Sequence, residues 1–184
     1  MSSLRYCLIF LLLTTACKHK ALTNFSTGDA YYTQVAIHYE KSTNNNAKFC
    51  SKNYHKGILL PINSRVTLQD MTNQSILMRI ESTKENLLIE NDYKKTSKNM
   101  IQIFNELFAK EKRDLSVFSE VERKSIIAGK VTPHMTKNAV IAALGYPPVN
   151  ETKDTSSNKW IYWKSKTSKT TVNFNGDKVI SIKE

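Results

Sequence analysis

The sequence predicts an α+β protein: a small antiparallel β unit, a connecting helix, and then two helices followed by a three-stranded antiparallel meander. Three observations predict this. Short segments of alternating apolar and polar residues recur between Tyr31 and Glu90, separated by Asn, Ser, Asp and Thr. Met100, Ile103, Phe104, Leu107 and Phe108 then fall at helical spacing. Beyond them come two helix-start signals and three further alternating segments around an Asn-Gly pair.

The first strand runs from Tyr32 to Tyr39, and Ser42 to Asn46 reads as a loop. Gly57–Pro61, Arg65–Gln69, Ser75–Glu81 and Asn86–Glu90 are the next strands. Pro61 has no N–H to give a ladder, which sets its segment at a sheet edge or strand end. Strands at this spacing suggest a curled, barrel-like unit over residues 30–93. A connecting helix within 94–117 follows, capped by Thr96 or Ser97, with its apolar stripe as core. Residues 118–184 form the last unit. Ser119 and Glu122 make a capping box, and Gly129 suits the left-handed position after the helix. Thr136 caps the next helix, Lys137 to Leu144, which Gly145 ends. Ala139 stands where an acidic residue would complete a box. Tyr146-Pro147-Pro148 prevents continuation. Trp160–Lys164, Thr170–Phe174 and Lys178–Ile182 are strands, with Asn175-Gly176 as a two-residue hairpin turn. Alternation sets Trp160 and Tyr162 on one face and Trp163 on the other.

The N-terminus carries a different signal. Arg5 precedes the apolar run Tyr6–Leu13, too short to span a bilayer, and small residues Thr14-Thr15-Ala16 precede Cys17. This pattern resembles a bacterial lipobox, in which the cysteine is lipidated and becomes the mature N-terminus. The resemblance makes 1–16 a lipoprotein signal peptide, Cys17 the lipidation site and 17–29 a flexible tether. A cleaved signal without lipid and an uncleaved anchor are the alternatives. Mature lipoproteins of this kind carry three acyl chains, enough for firm anchoring. Lys18, rather than Asp, after the cysteine favours the outer membrane and its periplasmic face.

The chain of 184 residues carries a formal charge of +11, with its lysines scattered. Such charge attracts nucleic acid, anionic lipid or acidic polymers. The export signal and the lack of an Arg-rich stripe or stacking motif argue against nucleic acid. A solvated surface is the simplest reading, and contact with anionic headgroups the next. With Cys7 in the signal and Cys17 lipidated, Cys50 has no cysteine partner.

Chemistry-bearing motifs are missing. His19, His38, His55 and His134 form no metal-binding spacing, and no nucleophile elbow, P-loop or dinucleotide motif occurs. Cys50 and His55 lack an orienting third group. Asp114, Glu120 and Glu122 read as helix-end residues. The expectation is a non-enzymatic protein without cofactor or metal.

One resemblance covers residues 120–182. Ile127-Ala-Gly129-Lys-Val131, Met135-Thr136-Lys137, Leu144-Gly145-Tyr-Pro147, Trp160-Ile-Tyr162 and Val172-Asn-Phe174-Asn-Gly176 occur in the order and spacing of a known module. The segment resembles the SmpA/OmlA/BamE-like family of outer-membrane lipoproteins. The family usually has Gly where this chain has His134, which implies a strained backbone or a different turn there. The resemblance implies a non-catalytic scaffold or accessory subunit of an envelope assembly complex, with β-barrel assembly components among its partners. On the same fold, an inhibitor or ligand-binding protein is the alternative, using an aromatic face of Trp160, Tyr162, Trp163 and Phe174. A peptidoglycan-binding module carried by 30–93 is the other. His134, Met135, Trp160, Tyr162 and Trp163 are the candidate partner-binding residues.

Overall fold

The computed structural model describes residues 25–41, 46–50 (backbone only), 55–165 and 167–184. Cys17, the signal segment and part of the tether lie outside them, as do residues 42–45 and the side chain of Cys50. The chain is mixed α+β, with two largely antiparallel sheets and four helices among the described residues.

The N-terminal sheet takes β1 (Ala30–Thr33), β2 (Ile37–Lys41), β3 (Asn46–Cys50), β4 (Ile58–Leu60), β5 (Arg65–Met71), β6 (Ser75–Ile80), β7 (Asn86–Glu90) and β8 (Phe108–Ala109). Their order is β4-β2-β3-β7-β6-β5-β1-β8. β1 and β2 are separated by five strand spacings, roughly 24 Å if the sheet were flat. Only Gln34, Val35 and Ala36 connect them, a reach of at most about 14 Å. The sheet therefore curls on itself, as the strand spacing suggested. Its interior holds Ile37, Val66, Ile76, Met78, Ile80, Leu87 and Ile89, each fully buried.

The strand expected from Tyr32 to Tyr39 is thus two strands with a kink. The kink has a cause: the Gln34 and Ala36 N–H groups donate to the Leu107 and Ala142 carbonyls, 2.8 and 3.0 Å away. Two further strands were not foreseen. Asn46, expected in a loop, begins β3, which runs parallel to β7. β8 pairs with β1 through Thr33 and Phe108. The edge placement of Pro61 agrees with its position just after β4, the outermost strand.

The single connecting helix is also replaced, by α1 (Tyr93–Thr96) and α2 (Met100–Leu107). Ser97 adopts φ +54° and ends α1. Neither Thr96 nor Ser97 caps α2; Asn99 does, in a reciprocal box with Gln102. Met100, Ile103, Phe104 and Leu107 pack into the curled sheet as the apolar stripe required.

The C-terminal part is α3 (Glu120–Ile127), α4 (Lys137–Leu144), β9 (Lys159–Trp163), β10 (Lys169–Asn175) and β11 (Lys178–Lys183). Ser119 and Glu122 form the expected box, and Thr136 Oγ1 accepts from the Ala139 N–H. The sheet order is β11-β10-β9, antiparallel throughout. The hairpin turn sits one residue later than expected: Asn175 still pairs with Lys178, and Gly176-Asp177 makes the turn. Only Gly176 has positive φ (+57°), as a turn with glycine at its first central position needs. α3 and α4 cover one face of this sheet, burying Trp160, Tyr162, Val172, Phe174 and Val179. Ile62 crosses from the first half into this core, and Ile141 packs against both cores.

Candidate functional site

Where the two halves meet, the chain builds a cleft. α4 ends at Gly145, whose φ of +77° turns the chain sharply after its N–H has bonded the Ile141 carbonyl. The Gly145 carbonyl accepts from the buried Tyr162 hydroxyl at 3.1 Å. Tyr146-Pro147-Pro148 then runs across the seam, and the Val149 N–H bonds the Lys95 carbonyl at 3.1 Å. Pro rings fix φ at two successive positions, so this wall is held in shape.

The cleft encloses about 50 Å³. Val35 and Ile37 of the kinked strand and Ile103 and Leu107 of α2 supply apolar floor. Pro147, Pro148 and Val149 form the opposite wall. Lys98 and Glu106 stand at its edge as an ion pair, and the Lys98 ammonium also lies 4.6 Å from the Tyr146 ring centre. The space holds a few water-sized groups. An apolar cavity of this size, with polar groups at one edge, suits one aliphatic side chain.

A second cluster lies on the same seam. The His38 and His55 rings are 5.5 Å apart, and His55 is 5.3 Å from the Tyr162 ring. His55 Nε2 lies 3.0 Å from the Leu144 carbonyl, and the His55 N–H bonds the Trp163 carbonyl. Burial pushes the His55 imidazole down to about 4, against the pull of the Leu144 carbonyl and with a smaller push from His38. Burial also lowers His38, whose Nδ1 is enclosed without a hydrogen-bond partner among the described residues. Burial thus disfavours the charged form of both rings. Among the described residues no three His, Cys, Asp or Glu side chains are grouped to hold a metal ion.

The structure scatters the residues expected to meet a partner. Trp160 and Tyr162 are fully buried, and Met135 is 1% exposed. These three are core, because α3 and α4 cover the face that alternation assigned to them. The aromatic face that an inhibitor would use is consequently not a surface. Trp163 is half-buried on the opposite face, with the Lys169 ammonium 4.2 Å from its ring centre. His134 is exposed with φ +70°, so the backbone freedom that a glycine would give is taken here at a cost. Glu122 is the helix-end residue expected of it, and more: it accepts from the N–H groups of Ser119 and Thr136. Burial opposes its ionisation, yet these hydrogen bonds outweigh that and bring its carboxyl to about 2.

Sequence reasoning missed the cleft. Its one sequence signal was Tyr146-Pro147-Pro148, which reads as a helix stop; nothing local says that Val35, Ile37 and Ile103 lie opposite. Comparison with protein-family models, curated proteins and solved structures gave no match.

Proposed function

We propose that this chain is a lipid-anchored protein of the bacterial outer membrane, facing the periplasm, that acts as a non-catalytic scaffold or accessory subunit in an envelope assembly complex. The observation that carries the reading is the seam cleft: an apolar slot for one side chain, walled by a double proline, edged by an ion pair and flanked by the exposed Tyr146. Interfaces concentrate their energy in such slots. Two capped helices followed by a three-stranded meander support the resemblance to the SmpA/OmlA/BamE-like family, as does the left-handed His134 where that family has Gly. The N-terminal pattern ending at Cys17 supports the anchor.

The test joins anchor and partner in one preparation. The chain is expressed in a Gram-negative host with a fatty-acid analogue, alongside Cys17→Ser, with a photo-crosslinking residue at position 146. Label lost in Cys17→Ser, together with a stoichiometric crosslinked envelope protein in the wild type, is the expected result. Label absent from both proteins removes the anchor. Label present without any crosslink removes the scaffold.

A further inference from the structure

We propose that His38 and His55 form an acid-operated latch between the two halves, which holds the seam cleft in shape while both rings are neutral and opens it when they take up protons. The latch regulates the cleft on which the scaffold reading rests. Its first part is the end of α4, where the last backbone carbonyls need donors from outside the helix. Ala142 accepts from the Ala36 N–H at 3.0 Å, Leu144 from His55 Nε2 at 3.0 Å, and Gly145 from the Tyr162 hydroxyl at 3.1 Å. Ala36 and His55 belong to the N-terminal half, so the end of α4 is tied to that half at two points. The His55 N–H adds a third tie, to the Trp163 carbonyl at 3.2 Å. Together they fix the Val35–Ile37 floor of the cleft against its Gly145–Val149 wall.

The two imidazoles sit inside this joint. His38 lies on the outer face of the curled sheet, between Ile37 and Tyr39, whose side chains enter the core. The turn after α3 closes over it: a Cβ on Gly129 would come within 3.2 Å of His38 Cε1 and 2.8 Å of Leu59 Cδ1. A carbonyl only accepts, so His55 donates from Nε2 and keeps its lone pair on Nδ1. Acid therefore adds its proton at His55 Nδ1. At His38 it leaves the enclosed Nδ1 as a donor with no acceptor among the described residues. Charge on both rings, whose centres are 5.5 Å apart, adds repulsion. Among the described residues no carboxylate contributes to the charge balance of either ring. The acidic neighbours are committed elsewhere: Glu40 to Lys56 and Glu85 to Lys41 beside β2, Glu120 to Lys124 on α3, and Glu184 to Lys164 beside β9. Lys130, after Gly129, is exposed, and the Tyr162 phenol against His55 stays neutral because burial raises it well above its usual range. No described group on these elements offsets a charged pair, whereas opening the joint to water does.

The test follows single backbone amides of the full chain, purified in detergent, by hydrogen exchange and NMR at pH 7 and pH 4.5, corrected for the intrinsic exchange rate. His55 alone, at about 4 when closed and about 6.5 when open, raises the open population by about fiftyfold between these conditions. The expected result is a loss of protection of at least about tenfold at Ala36, His55 and Val149, reversed on return to pH 7. Amides inside β5–β7 and β9–β11 keep their protection. A chain carrying His38→Phe and His55→Gln stays protected at both pH values, because glutamine retains a donor for the Leu144 carbonyl and neither side chain titrates. Unchanged protection in the unaltered chain at pH 4.5, loss spread evenly through both halves, or the same loss in the doubly substituted chain overturns the latch. If the substituted chain does not fold, the imidazole 15N shifts of the unaltered chain decide. Ring protonation in step with the amide loss supports the latch, and protonation that leaves these amides protected overturns it. Crosslinking from position 146 at pH 7 tests the scaffold reading separately. No crosslink beside an acid-labile seam removes the partner and keeps the latch; a crosslink beside a seam indifferent to acid does the reverse.

Discussion

In the C-terminal half, β10 meets β9 and β11 across residues 164–168 and 176–177. In the N-terminal half, Tyr32 of β1 pairs with Arg65 and with Ala109, and β3 lies parallel to β7 with β4, β5 and β6 between them in the chain. The two halves bury cores of similar make-up, but one is closed by neighbours in sequence and the other by distant segments. The difference teaches that loop-closure entropy is met in different places: in short turns with the right residues in one half, and in collective curling in the other. The seam then binds the two. Ala36 donates to Ala142, Val149 to Lys95, and His55 to Trp163, while Ile62 and Ile141 share the apolar contacts.

The largest expected effect tests whether these halves stand or fall together. Trp160→Ala removes the largest fully buried side chain and costs about 3–5 kcal/mol, while Ile89→Ala in the curled sheet costs about 2–5 kcal/mol. Because the seam is continuous, each substitution lowers one shared urea transition, followed by far-UV circular dichroism and tryptophan fluorescence. Two transitions, each moved by only one substitution, break the comparison and make the halves independent. Trp160→Phe sharpens it. The Trp160 indole N–H is buried without a partner among the described residues, so losing it removes a desolvation cost and offsets part of the lost volume.

How much could be read in advance follows the same division. Ser119 with Glu122, Thr136 before Lys137, and Gly145 after Leu144 announce helix ends because the chemistry of a cap is complete within four residues. Trp160 and Tyr162 announce a buried face, but the same alternation cannot say whether that face meets helices or a partner; here α3 and α4 take it. The kink at Gln34–Ala36 was invisible because its cause, the Leu107 and Ala142 carbonyls, is distant. Thr96, Ser97 and Asn99 are equally good cap residues in sequence, and the left-handed Ser97, which breaks the chain after α1, leaves the cap of α2 to Asn99. The cleft was illegible for the reason the kink was: its walls come from three separated stretches of chain.

The next effect concerns the seam alone. His55 is held at about 4 in the folded chain, against about 6.5 when unfolded, so the unfolded chain binds the extra proton. Stability is therefore full above pH 6.5, falls as pH drops from 6.5 to about 4, and levels off below that with respect to this group. The expected loss is about 3 kcal/mol. His55→Phe flattens this part of the profile in urea titrations run at successive pH values. An unchanged profile separates the seam from His55 protonation.

Glu122 gives a smaller effect inside the C-terminal half. Its carboxylate accepts from Ser119 and Thr136 backbone N–H groups, joining the start of α3 to the start of α4. Glu122→Ala leaves the buried ends of both helices short of an acceptor and costs about 2 kcal/mol. Ser119→Ala, which removes the hydroxyl's bonds with the Glu122 N–H and carboxylate but leaves both backbone N–H bonds to that carboxylate, costs about 1 kcal/mol. Equal costs for the two would mean that Glu122 serves α3 alone, and differential scanning calorimetry separates the cases.

The smallest effect has the opposite sign. His134 pays for a left-handed backbone at φ +70°, roughly 1–2 kcal/mol for a residue with a Cβ. His134→Gly removes that strain but adds flexibility to the unfolded chain, worth about 0.4–1 kcal/mol in the other direction. The net expectation is stabilisation by about 0.5–1 kcal/mol, seen as a rise of a few degrees in Tm. The backbone bonds at this turn, His134 N–H to the Val179 carbonyl and Val179 N–H to the Met135 carbonyl, do not involve the imidazole and survive the change. His134 is also exposed, so no packing is lost. A drop in Tm would therefore mean that the imidazole makes a stabilising contact outside this turn. A rise accompanied by loss of a crosslinked envelope partner would mean that the chain keeps a strained histidine here because a partner touches it.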